Sequence, residues 1–153
     1  MNILKMTIDD IPQCVRLLHE AFDSFKLYPL TFDDNHVAYE LMIESSNRDS
    51  SAIVAKECGT ILGCAVAVLG RSFFNKDHQK AITLCFQPKL TLSDREKVVV
   101  VKELFGALEI WAMSKNVESF NVGVPITNDM ASFLEKRGYN EIERHFIKEV
   151  KRK

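Results

Sequence analysis

The feature that most limits how this chain can fold is the order of elements from Ala81 to Tyr139. Ala81 to Gln87 (AITLCFQ) is apolar enough for a buried strand, and Pro88 ends it. Ser93 and Asp94 can cap a helix that continues to about Ser114. Ser119 to Val124 (SFNVGV) alternates like a second strand. Asn128 to Arg137 (NDMASFLEKR) reads as a short helix, and Gly138 stands where a left-handed C-cap belongs. Two strands joined by a helix in one sheet must run parallel through a right-handed crossover.

The upstream half supplies the rest of a sheet. Asn2 to Lys5 can form a short edge strand. Thr7, Ile8, Asp9 and Asp10 resemble a capping box, with the acid three residues after the threonine. Ile11, Val15, Leu18 and Phe22 then share one face of a helix from about Asp9 to Phe22. Asp23 to Phe32 is a loop broken by Pro29. A second helix starts near Asp33 or Asp34, with Val37, Leu41 and Met42 as its inner face. Ile53 to Ala55 and Ile61 to Leu69 form a hairpin around Cys58 and Gly59. The second of these strands is apolar on both faces, which predicts a central strand covered on both sides. Glu141 to Lys151 reads as a final half-exposed strand.

Within the long helix, Val101, Leu104, Phe105, Leu108, Trp111 and Ala112 make one apolar stripe. The stripe outweighs the local β-preference of Val98 to Val101 and places Trp111 against the sheet. Together the elements predict an α+β fold (an α/β three-layer arrangement), a mixed, mostly antiparallel sheet flanked by helices. The length of 153 residues suits a single domain spanning 1–153.

Composition removes several function classes. Hydrophobic residues are 46% and charged residues 27%, which suits an ordinary core and surface. The formal net charge of −1 gives no bulk attraction to nucleic acid. No apolar run reaches the ~18 residues of a membrane span. The opening MNILKMTIDD is not patterned as a secretory signal, so the cytoplasm is the expected compartment. Cys14, Cys58, Cys64 and Cys85 show no metal-ligand spacing, so no metal is expected.

Three stretches resemble the GNAT N-acetyltransferase superfamily. Met6 to Ile11 is similar to its opening into the first helix. Val54 to Gly63 (VAKECGTILG) is similar to its central hairpin, and Asn128 to Tyr139 (NDMASFLEKRGY) to its Asn…Ala…Phe-x-Glu-Lys-x-Gly-aromatic segment. The resemblance implies a degenerate GNAT-like domain. It implies that Leu84, Cys85 and Phe86, on the strand whose backbone would meet a pantetheine thioester, and Asn128 bind acetyl-CoA. It implies transfer of an acyl group to a small-molecule or protein amine.

Two positions depart from the pattern. Family members hold the coenzyme A pyrophosphate on a glycine-rich loop, where backbone N–H groups and the helix dipole face the anion. Here Pro88 to Lys97 (PKLTLSDREK) contains no glycine, and Asp94 and Glu96 stand at the helix start. Leu134 occupies a position where many members carry a proton-donating tyrosine, and leucine has no proton to give. No catalytic residue is therefore assigned. Cys85 as a nucleophile lacks a sequence-placed partner and reads as a core thiol. Three functions stay open: an N-acyltransferase, a catalytically inactive GNAT-fold protein acting in a homo-oligomer or larger assembly, and a regulatory acyl-CoA sensor that needs the cofactor but not the chemistry.

Overall fold

The computed structural model describes residues 1–26, 30–72, 74–123, 130–142 and 150. Five strands, β1 (Asn2–Lys5), β2 (Ser50–Glu57), β3 (Thr60–Arg71), β4 (Gln79–Pro88) and β5 (Ser119–Asn121), form one sheet in chain order. Neighbours are antiparallel except β4 and β5, which run parallel. The helices are α1 (Ile11–Phe25), α2 (Asp34–Ser46), α3 (Asp94–Ser114) and α4 (Ala131–Lys136), with a single 3₁₀ turn at Ile8–Asp10 before α1. The expected parallel crossover is thus present, with α3 as its helix.

The inner strands bury both faces. Val54, Cys64 and Val66 pack with Ile11, Cys14, Val15 and Leu41 of α1 and α2. Their alternate neighbours Ile53, Ala55, Ala65 and Ala67 pack with Val100, Leu104 and Leu108 of α3. The period of two in each strand therefore divides the core into two layers around the sheet. The α3 face uses alanine and glycine because the helix lies close. A Cβ on Gly63 would come within 2.7 Å of Val100 Cγ1 and 3.2 Å of Leu104 Cδ1. A third cluster joins Val101, Phe105, Met130 and Leu134. Phe105 is its centre, with ring centroids 4.8 Å from Phe86 and 5.7 Å from Phe133.

Local chemistry explains the boundaries. Cys58 and Gly59 both take positive φ, 47° and 80°, the pair of left-handed residues that a type I′ hairpin turn demands. Ser93 caps α3 and Asp33 caps α2, accepting from the N–H groups of Asn35 and His36. At Thr7 the expected capping box is present. The Asp10 carboxylate accepts from the Thr7 N–H at 3.0 Å and from its hydroxyl at 2.8 Å.

Four boundaries or burial states differ from the sequence reading. Helix α1 continues past Phe22 to Phe25 and stops at Lys26, whose φ of 50° is left-handed. Met42 is exposed, since only Leu41 of α2 is fully buried. Trp111 lies against the α3-side core but is only half-buried, because the stripe drifts toward solvent near the end of α3. Helix α4 begins at Ala131. Asn128 and most of the expected last strand lie outside the described residues.

Asp10 ties α1 to the sheet. It is 3% exposed, and its Oδ1 accepts from Lys56 Nζ of β2 at 2.6 Å. Burial alone would raise its pKa, but Lys56 and the two Thr7 donors hold the carboxyl below the usual aspartate value. A depressed native pKa stabilises the fold above the unfolded value, about 4, and that contribution is lost as pH falls through the native pKa. Asp10→Asn is expected to cost about 2–3 kcal/mol at pH 7, below the full range for a buried pair because Lys56 is partly solvated. Urea unfolding at pH 7 and near pH 3 checks this. The gap between variant and parent narrows at the lower pH; a constant gap would contradict the assignment.

Candidate functional site

The site follows from an irregularity in β4. Val66 of β3 pairs with Cys85, but the next residue, Ala67, pairs with Thr83. Leu84 is therefore the extra residue of a β-bulge, and its side chain is 56% exposed. On the other side β5 pairs with β4 only at Lys80, Ala81 and Ile82. Past that point the Gly123 N–H donates to Thr83 Oγ1 at 3.2 Å, a side-chain link in place of a ladder. Among the described residues no strand pairs with this edge of β4 beyond Ile82.

A cavity of about 580 Å³ opens beside the bulge. Its walls are Leu18, Phe22 and Phe25 of α1, Val37 and Leu41 of α2, and Leu84 to Gln87 of β4. Such a volume suits a small organic ligand. Leu84, Cys85 and Phe86, three of the four residues expected at a cofactor, come together here; Asn128 lies outside the described residues. The polar side chains are His36, Glu40, Glu44 and Gln87, which sequence reading did not single out. The first three recur every four residues beside Val37 and Leu41, so helical spacing carried the signal.

At the start of α3 the N–H groups of Ser93 and Glu96 are engaged. Glu96 Oε2 accepts from the Ser93 N–H at 2.9 Å and from its hydroxyl at 2.6 Å. The Glu96 N–H turns to Ser93 Oγ at 3.4 Å. The Lys89 N–H bonds Leu62 O, and the Leu92 N–H bonds Lys89 O. Hydrogen bonds from the Ser93 hydroxyl and then its N–H hold the Glu96 carboxyl below the usual glutamate value. A stable anion thus occupies the helix end that would meet a pyrophosphate.

The remaining candidates are structural. Leu134 is buried in the Phe105 cluster and does not reach the cavity. The Tyr139 hydroxyl donates to Glu109 Oε1 at 3.1 Å, and Glu109 also pairs with Arg137. Burial first, and then the Glu109 charge, push the Tyr139 pKa far above the usual phenol value. The Cys85 thiol contacts fully buried Cys64, which also contacts Cys14. These thiol hydrogen bonds, then burial, raise the Cys64 pKa well above its usual value. Among the described residues no three His, Cys, Asp or Glu side chains converge as metal ligands. No described helix is long and apolar enough to cross a membrane.

Solved structures share this architecture at low sequence identity. A predicted acetyltransferase with acetyl-CoA from Clostridium acetobutylicum matches with TM-score 0.76 and 14% identity, over 97% of this chain and 95% of that one. A transcriptional regulator from Bacillus halodurans matches with TM-score 0.77 and 14% identity, over 97% and 99%. An aminoglycoside acetyltransferase from an uncultured soil metagenomic sample, in complex with sisomicin, matches with TM-score 0.68 and 16% identity, over 98% and 96%. No protein-family model and no curated protein matches the chain. The fold is that of the GNAT acetyltransferases.

The engaged helix end yields a direct expectation. Glu96→Gln removes the charge while keeping a capping side chain, so acetyl-CoA binding should tighten about two- to fivefold. Isothermal titration of both proteins measures it. Unchanged or weaker binding by the variant would mean that the α3 N-terminus does not govern nucleotide affinity.

Proposed function

We propose that the chain is a GNAT-fold N-acyltransferase that moves an acyl group from an acyl-CoA thioester, of which acetyl-CoA is the simplest, to an amine. The observation that carries the reading is the bulge at Leu84, where β4 parts from β5 beside a cavity. Unpaired backbone there can accept an extended pantetheine arm, and an N–H can polarise a thioester carbonyl. Leu84, Cys85 and Phe86 would line the arm, and Asn128 would complete the cofactor site. The amine must be unprotonated when it attacks. A cavity carboxylate, directly or through water, takes the proton that the ammonium loses. The nitrogen then attacks the carbonyl carbon, the C–N bond forms, the nitrogen releases its second proton to solvent, the C–S bond breaks, and the thiolate leaves and is protonated from solvent.

A second reading is a GNAT-fold binding protein without catalysis. The engaged donors at Ser93 and Glu96 favour it, because they oppose pyrophosphate binding. The two readings separate in one assay. Primary amines are incubated with millimolar acetyl-CoA, or with acetyl-pantetheine, which lacks the nucleotide. Acetylated amine is then measured by mass spectrometry. The transferase reading predicts product from both donors, with kcat/KM values within about tenfold, since little binding energy comes from the nucleotide. Leu84→Trp, at an exposed bulge position, should abolish product without unfolding the protein. Absence of product from either donor across the amine panel would replace the transferase with the binding protein.

A further inference from the structure

The cavity's lining selects a chemistry for its occupant. Three phenylalanines, Phe22, Phe25 and Phe32, stand on the side of α1 and of the segment leading into α2. Across from them, α2 turns Glu40 and Glu44 toward the same space, and among the described lining residues there is neither Lys nor Arg. His36 stands beside Glu40, with Nε2 4.0 Å from Oε1, and the Ser50 hydroxyl donates to Glu44. The charge within the lining is therefore acidic, while most of the wall is apolar.

Gln87 adds an independent indication. It is 5% exposed and lines the cavity floor at the end of β4. It pairs in register with Cys64, which belongs to the α1 and α2 side of the core, so its side chain emerges on the cavity side of the sheet. Its Nε2 donates to the Pro88 carbonyl at 2.8 Å, which fixes the amide orientation and identifies Oε1 as the remaining acceptor. Among the described residues that oxygen has no donor. No buried side-chain nitrogen or oxygen among the described residues lacks a partner, so this oxygen is open to the cavity, where the N–H of a ligand can meet it.

We infer that this cavity binds a primary amine with an aromatic or bulky apolar body, of the arylalkylamine kind. This rests on the transferase reading for its use as the acyl acceptor, though binding itself does not. The N–H groups of the amine match the Gln87 acceptor. Its positive charge, before deprotonation, is balanced by Glu40 and Glu44, and the phenylalanines take the ring. A carboxylate ligand would meet two like charges, and a neutral alcohol would forgo both attractions.

The test uses three probes of one shape on the full chain: phenethylamine, 2-phenylethanol and 3-phenylpropionate, each titrated calorimetrically. The amine should bind at least tenfold more tightly than the alcohol, and the carboxylate more weakly still. The double variant Glu40→Gln, Glu44→Gln should lower amine affinity to the level of the alcohol and leave the alcohol unchanged, which also verifies that the cavity is intact. Equal affinities for amine and alcohol, an unaffected variant, or no binding by any probe would each overturn the inference. The outcomes also separate it from the transferase reading. Selective amine binding without acetylated product keeps this inference and removes the transferase. Acetylation of polar and apolar amines without preference keeps the transferase and removes this inference.

Discussion

Strand β4 carries two incompatible demands, and the site depends on how they are reconciled. It must pair antiparallel with β3 along its length and parallel with β5, which arrives through the α3 crossover. Twisted strands cannot keep both ladders when one neighbour diverges. The extra residue at Leu84 settles the conflict by bending β4, so that pairing with β3 continues to Pro88 while contact with β5 ends at Ile82. The free edge and the cavity beside it are consequences of that single inserted residue.

Close packing of α3 fixes the other side. Gly63 lets Val100 and Leu104 approach the sheet, and the Phe105 cluster ties α3 to β4, β5 and α4. With the helix held, its N-terminus lies at the end of β4, where a GNAT fold would meet a nucleotide. This chain fills that position with Ser93 and Glu96. A capping box stabilises the helix by the same N–H groups that an anion would use, so helix stability and anion affinity compete for one set of donors.

What could be read from the sequence was what is local. The Cys58–Gly59 turn, the Ser93 cap, the two-faced burial of β3 and the parallel crossover all follow from short spacings. The bulge could not be read, because Leu84 is displaced by pairing to two neighbours and not by its own neighbours in sequence. Leu84, Cys85 and Phe86 lie on β4, the strand that their apolar run predicts. Glu40 and Glu44 were missed because acids beside an apolar stripe look the same whether they face water or a cavity. Leu134 was read correctly as unable to donate a proton; its burial in the Phe105 cluster explains why leucine suits that position.

In the proposed transferase, the acyl donor would be read at the β4 bulge and not at the start of α3. Backbone amide chemical shifts, followed by NMR as acetyl-CoA is added, test it residue by residue. The account predicts that the largest changes fall on Leu84 to Gln87 and on the α1 and α2 residues lining the cavity, with small changes at Ser93 to Lys97. Dominant changes at Ser93 to Lys97, or none along β4, would contradict it.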